Sequence, residues 1–403
     1  MRNKIYSKIE EINIDLDEYI ASDPAEGISL LSGISGAILF KYNYYKFFKG
    51  YSGDELLEKI EPYIVLLFDQ LNTSEYSFTY CDGLAGVAYL LNHLKNDGVF
   101  PDEIEDALLE FDAILISKLG KIKSTDDTDL LHGQLGIIYY LTQRPDYTRT
   151  RTDFIENTTL FFNDITTEVN SALNGQFEFI NCGFAHGYLG YIKILIGLLE
   201  IPDFKQPKFT TLLKSLVTII LKYKNLSPDS FALFPSIIRP GQIPENYTIN
   251  LGWCYGDQPT SLILFEAAFV LNDEDLKKEA LSIAATWKER NTIESGFYNG
   301  IIDACLCHGT TSAAHFNMKM YRITEDIKFS NNCDYFIEKT IDLGRNQDGA
   351  SGYLKIEEDG LKKEFSILGG TAGIGLVLID YATKINTEWD KFLLLAPNSN
   401  MNH

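Results

Sequence analysis

No stretch of the sequence approaches the ~18 consecutive apolar residues that a membrane-spanning helix needs. The longest candidate, Ile192 to Ile201, is interrupted by Lys193, Gly197 and Glu200. The opening segment, MRNKIYSKIEEINIDLDEYI, carries a charge every few positions and lacks the apolar core of a signal peptide. A cytoplasmic protein is therefore expected. Basic charge is also scarce: 35 Lys+Arg stand against 56 Asp+Glu, a net charge of −21 with His neutral. Nucleic-acid phosphates need a basic face, so a nucleic-acid partner is excluded. Docking through a polybasic patch on an anionic membrane is excluded on the same ground. Cysteine is sparse as well. Cys81, Cys182, Cys254, Cys305, Cys307 and Cys333 are too few for a disulfide scaffold in a chain of 403 residues. That leaves metal binding, catalysis or plain burial for each thiol, and burial is the usual fate of a single Cys.

Apolar side chains are not scarce. Hydrophobic residues make up 45% and aromatics 13%, which suffices for a large packed core and excludes a disordered chain. Length alone, at roughly 150 residues per domain, suggests two or three domains. An internal repeat overrides that estimate. The segments LLSGISGAILF, YCDGLAGVAYLL, LLHGQLGIIYYL, FAHGYLGYIKIL, GWCYGDQPTSLILF, CLCHGTTSAAHF and ILGGTAGIGLVL share one pattern. Their first glycines are Gly33, Gly83, Gly133, Gly187, Gly256, Gly309 and Gly370. Each precedes an apolar stretch long enough for a buried helix. Amphipathic stretches lie between them, such as Asp54 to Leu71, with Leu56, Leu57, Ile60, Ile64, Leu67 and Leu71 at helical spacing. Pro101 to Leu119 reads as another, started by Pro and two carboxylates.

The predicted fold class is all-α: an α/α toroid of seven helical hairpins, about fourteen helices in inner and outer rings. Hairpins that each need a neighbour either stack or close into a ring, and apolar inner helices without polar capping repeats favour closure. Residues 1–403 then form a single domain. Asn225 to Asn250, rich in Pro and turn formers, reads as a small non-helical insertion. The glycine-rich stretch after Ile341 reads as a second irregular loop.

The register carries chemistry. The residue before each first glycine is Ser32, Asp82, His132, His186, Tyr255, His308 and Gly369 in turn. Asp, His and Tyr are residues of proton transfer and metal binding. A helix-start position repeated around a ring points each time toward the same end, so these side chains are expected to converge on one pocket. One residue earlier, the fifth and sixth repeats place Cys254 and Cys307, and these two repeats carry Pro259 and Ser312 where the others have a second glycine. Cys254, Cys307 and His308 form an S₂N set suited to Zn²⁺, with a fourth position left open as in catalytic zinc sites. Cys305 lies outside this register and reads as structural. His315 reads as a packed or surface residue and Cys81 as core.

Trp253-Cys254-Tyr255-Gly256, Cys307-His308-Gly309 and Ala185-His186-Gly187, set among seven glycine motifs, resemble the lanthionine synthetase C (LanC) family over essentially the whole chain. The resemblance implies an α/α toroid, zinc at Cys254, Cys307 and His308, and catalytic roles for His186, Tyr255 and Asp129. It implies a lanthipeptide cyclase, which adds peptide Cys thiols to dehydroalanine or dehydrobutyrine and so closes thioether rings. The implied partners are a dehydrated precursor peptide, with a dehydratase and an exporter as companions in a maturation complex at the membrane. Two departures stand out. Asn250 occupies the place of an Arg four residues before the first zinc Cys, with Arg239 as a candidate substitute, and His132 stands where Glu is expected. Two rival readings share the motifs: addition of glutathione to dehydrated residues, and a non-catalytic scaffold. A protein prenyltransferase, also an α/α ring with zinc, does not fit the motif set.

Overall fold

The computed structural model describes residues 1–22, 27–73, 75–100, 104–144, 151–227, 232–241, 251–290, 303–357 and 360–396. They group into two compact units, Met1–Phe111 with Ile301–Ala396, and Asp112–Gly300. Among the described residues no helix is long and apolar enough to cross a membrane.

In the first unit lie α1 (Arg2–Ala21), α2 (Ile34–Asn43), α3 (Gly53–Thr73) and α4 (Leu84–Asn96). α5 (Ile104–Ile116) runs across the division. The second unit holds β1 (Ile180–Asn181) and β2 (Ile237–Ile238), with α6 (Gln134–Thr142), α7 (Arg151–Leu173), α8 (Tyr188–Leu198) and α9 (Pro207–Lys222). It ends with α10 (Asp257–Leu271) and α11 (Glu274–Trp287). The first unit resumes with α12 (Thr310–Thr324), α13 (Ile327–Leu343), β3 (Lys355–Glu357), β4 (Gly360–Lys362) and α14 (Thr371–Thr383).

Every first glycine is followed directly by an even-numbered helix. These helices are buried on all sides: α4 from Leu84 to Leu94, α8 from Tyr188 to Ile196, α10 from Asp257 to Ala268. A helix apolar all round is stable only when surrounded. The odd-numbered helices supply the cover. α3 buries Leu56, Ile60, Ile64, Leu67 and Leu71, a single stripe at i, i+4 and i+7 spacing. Asp273 and Asp326 start α11 and α13 by accepting backbone N–H bonds, from Asp275 and Leu276 and from Lys328 respectively. Pairing is local: α10 packs on α11 and α12 on α13. In the first unit the two ends of the chain meet, with α14 against α1 and α2.

The glycine turns join one repeat to the next. In the first unit Leu30 N–H donates to Cys81 O at 3.0 Å, Cys307 N–H to Leu368 O at 2.9 Å and Ile367 N–H to Leu31 O at 3.2 Å. In the second, Leu130 N–H donates to Ala185 O at 3.2 Å and Phe184 N–H to Cys254 O at 2.7 Å. All five acceptors occupy the same place, two residues before a first glycine. Glycine is required there because the chain folds back on itself. A Cβ at Gly187 would stand 2.1 Å from Asn181 O, and at Gly83 2.2 Å from Ser77 O, each six residues upstream.

The stretch at 225–250 is non-helical where it is described. Its strand β2 pairs antiparallel with β1, Ile180 facing Ile238 and Asn181 facing Ile237. The stretch after Ile341 is less irregular than expected. α13 continues to Leu343 and β3 and β4 form a hairpin, with Lys355 facing Lys362.

Candidate active site and metal centre

In the second unit, the turn before α6 and the turn before α8 bring Asp129 and His186 together. Asp129 Oδ2 lies 2.5 Å from His186 Nδ1. Asp129 Oδ1 accepts N–H bonds from Leu131 at 2.7 Å and His132 at 2.9 Å. Burial works to raise the Asp129 pKa, but bonds from His186 and the two backbone N–H groups outweigh it and hold the carboxyl below its usual range. Both oxygens are thus fixed, and the imidazole is fixed with them. His186 remains about one-third exposed. The ring of Tyr255 is its neighbour, with centroids 6.2 Å apart.

Tyr255 is held in turn. Asn181 Nδ2 donates to its hydroxyl at 3.2 Å, and Asn181 Oδ1 accepts from Gly183 N at 2.8 Å. Gly183 leaves room for the ring, since a Cβ there would stand 2.5 Å from Tyr255 Cε1. Burial raises the phenol pKa, against the Asn181 bond, so the hydroxyl keeps its proton at neutral pH. Because Asn181 donates to that oxygen, the phenolic proton is directed elsewhere. Cys254 precedes Tyr255 on a turn closed by Gly256 at φ +96°, a left-handed conformation. The other first glycines are extended, as at Gly187 (φ −162°) and Gly309 (φ −105°).

In the first unit, Cys307 and His308 adjoin before α12. His308 Nε2 lies 3.6 Å from Asp303 Oδ2. Bonds with Asp303 and Cys307, opposed by burial, raise the His308 pKa to about 10. The surroundings therefore favour positive charge at this imidazole, which a proton or a metal cation supplies. Asp303, Cys305 and His308 also bring three ligand atoms within 4.8 Å of one another. Cys305, however, is 1% exposed and its sulfur accepts the His308 N–H at 3.4 Å. Burial, then the negative charge of Asp303, push its thiol well above the ordinary range. These are the properties of a turn-holding sulfur. Of the six cysteines, Cys254 and Cys307 alone are part exposed, while the other four are buried.

Asp129, His186 and Tyr255 thus share the second unit with Cys254, whereas Cys307 and His308 belong to the first. Asn250 lies outside the described residues. Arg239 is exposed just past β2, on the side of Ile238 away from Asn181. His132 is exposed, and its backbone rather than its ring serves Asp129. His315 is buried and pairs with Asp390 at 3.0 Å. Two residues next to the site, Asn181 and Asp303, are not marked by the column of residues before the glycines. They belong to a second column, six residues ahead of the first glycine. Ser77, Asn181, Asp303 and Glu364 occupy it, and each side chain accepts the N–H two residues on.

These features place the chain in a known class. Residues 24–394 match the family model of the Lanthionine synthetase C-like protein, and the chain belongs to that family. Among solved structures, nisin cyclase resembles it with a TM-score of 0.71 at 21% identity, covering 98% of each chain. That likeness bears out the fold class expected from the repeats, the all-α toroid of helical hairpins. Cellobiose 2-epimerase from Bacillus thermoamylovorans B4167 aligns with a TM-score of 0.46 at 13% identity, covering 96% of this chain and 100% of that one. A sugar epimerase from a ruminal bacterium aligns at 0.39 and 13%, covering 93% and 98%. No curated protein matches in a sequence comparison.

Proposed function

We propose that this protein is a zinc-dependent lanthipeptide cyclase that adds peptide Cys thiols to dehydroalanine or dehydrobutyrine, forming lanthionine or methyllanthionine. The observation that carries the reading is the Asp129–His186 pair at 2.5 Å beside Tyr255, in a chain of the lanthionine synthetase C-like family. The donor chemistry fits zinc: Cys254 and Cys307 are the two part-exposed thiols, and Asp303 holds the His308 imidazole as outer partners of metal ligands do. Cys254, Cys307 and His308 would hold the ion. Bound Zn²⁺ supplies Lewis acidity that keeps a thiol deprotonated near neutral pH.

The chain's own groups do the rest. Attack of the substrate sulfur on the β-carbon moves the C=C pair into the bond between the α-carbon and the carbonyl carbon, and the C=O pair onto oxygen, giving an enolate. The α-carbon then needs a proton. His186 delivers it, with its ring orientation and tautomer set by Asp129 at Nδ1. Tyr255, kept protonated, has a phenolic proton to offer beside His186. The substrate is a dehydrated precursor peptide, a cytoplasmic location accompanies this chemistry, and a dehydratase and exporter are its expected companions. Glutathione addition to dehydrated residues would use the same groups. Incubating a dehydrated, Cys-containing peptide with the enzyme in the presence of glutathione, and then alkylating, separates these outcomes by mass spectrometry. Thiols protected from alkylation at unchanged peptide mass support cyclisation. Glutathione adducts, or thiols left fully alkylated, overturn it.

A further inference from the structure

In the second unit, the pair of strands β1 and β2 has one buried face and one open face. Its antiparallel register sets Ile180 against Ile238 and Asn181 against Ile237. Ile180 and Ile238 point inward, at 1% and 0% exposed. Successive side chains of a strand alternate, so Asn181 and Ile237 share the open face, where opposed residues stand about 5 Å apart. Phe179 precedes β1 by one residue and, two positions from Asn181, falls on the same side. Ile237 is 37% exposed and Phe179 43%. Single exposed apolar side chains need no explanation, but two on one open face form a patch. This patch is continuous with the candidate active site of the same unit. Asn181 lies on the open face, and its Nδ2 donates to the Tyr255 hydroxyl at 3.2 Å. Tyr255 adjoins His186, and Asn181, Tyr255 and His186 are each part exposed. Accessible surface thus runs from Phe179 and Ile237 over Asn181 to the imidazole.

We infer that Phe179 and Ile237 form a substrate subsite, which takes an apolar side chain of the precursor peptide within about two residues of the reacting dehydro residue. This rests on the cyclase reading above. A peptide whose dehydro residue lies at His186 and Tyr255 extends its neighbouring residues onto the adjoining surface. On the Asn181 side that surface is the patch. Phe179 stands about 7 Å from Asn181 along the strand, a span that an extended peptide covers in about two residues. An apolar side chain seated there removes two part-exposed hydrocarbon surfaces from water. A polar one loses its own water and gains no hydrogen-bond partner from Phe179 or Ile237. The contact is the same before and during sulfur addition, so it contributes to binding and leaves the chemical step unchanged.

The test uses two dehydrated Cys-containing peptides that differ only in the residue beside the dehydro residue, Leu in one and Ser in the other. The readouts are kcat and KM for ring closure, with thermal melting of each variant. Wild type should show a KM lower for the Leu peptide by on the order of 10-fold, at similar kcat. Phe179→Ser with Ile237→Ser should raise KM for the Leu peptide to that of the Ser peptide, with kcat and melting unchanged. Phe179→Leu and Ile237→Val keep the face apolar and should retain the preference. Leu160→Ser, at an exposed apolar position on α7, should alter neither KM. Equal KM for the two peptides on wild type, or a preference that survives the double Ser variant, overturns the subsite while leaving the cyclase reading intact. A wild-type enzyme that closes no ring in either peptide overturns both.

Discussion

Asp129 holds His186 with one oxygen and two backbone N–H groups with the other, so its role is separable from that of the imidazole. Replacing His186 by Asn should retain bound zinc and lose ring closure by about 10²-fold or more, within the range for a general acid. Asp129→Asn should fall between that variant and wild type, because an amide still orients the ring at Nδ1 but lacks the charge of the carboxylate. Metal analysis beside thiol-alkylation kinetics checks both, and unimpaired turnover in His186→Asn would reassign the acid. The thiols differ as clearly. Burial pushes Cys182 and Cys333 each up to about 12, and raises Cys305 well above the ordinary thiol range. In chelator-treated native protein, alkylation should map to Cys254 and Cys307 first. Early labelling of Cys305 would contradict its place as a turn-holding sulfur. Cys254→Ala and Cys307→Ala should each lose zinc, read by metal analysis of the purified variants.

The helices depend on the turns that start them. At Gly187 the neighbour is backbone, Asn181 O, which cannot move aside without shifting β1. Gly187→Ala should therefore destabilise the protein by about 3 kcal/mol, the upper part of the range for overpacking. Gly197, in the last turn of α8, has nothing within 4 Å of its added Cβ. Gly197→Ala should stabilise by about 0.5 kcal/mol through helix propensity and a less entropic unfolded chain. Denaturant melts of the two variants give opposite signs on this account, and equal destabilisation would refute it. α8 and α10 are further joined by the buried pair of Lys193 and Glu266. Lys193→Met would leave a buried carboxylate without its ammonium, at a cost of about 3 kcal/mol or more.

For the molecule as a whole, two buried carboxylates ten residues apart behave oppositely. Asp390 is buried, yet Lys319 and His315 hold it far below the usual carboxylate range. Burial, aided by the negative charge of Asp390, raises the Asp380 pKa to about 7 against hydrogen bonds from Thr387 and the charge of Arg322. The folded chain thus holds a proton on Asp380 that the unfolded chain releases near ~3.9. Asp380 contributes nothing adverse below that value. Stability then falls as pH rises toward about 7 and stays reduced above it, by roughly 1.4 kcal/mol for each unit of separation. Asp380→Asn removes this loss. Its melting temperature should exceed wild type at pH 8 and match it near pH 4, and an equal shift at both pH values would disprove the sign.

Helix order, the glycine turns and the column containing His186, Tyr255 and His308 were legible in the sequence, because a repeat makes equivalent positions comparable without any coordinates. The choice of Cys254 and Cys307 over Cys305 also came from register, and burial sorts the six thiols the same way. Periodicity carries this information because each hairpin meets the same local problem: an apolar helix that must start at a close backbone approach. What it does not carry is contact between residues distant in sequence. The bond from Asn181 to Tyr255 spans 74 residues, and the pairing of His315 with Asp390 spans 75. Lys355 fills the space above Gly369 only because a short hairpin folds back over it. Such partners are selected by distance and desolvation in the folded chain, so they belong to the tertiary structure alone.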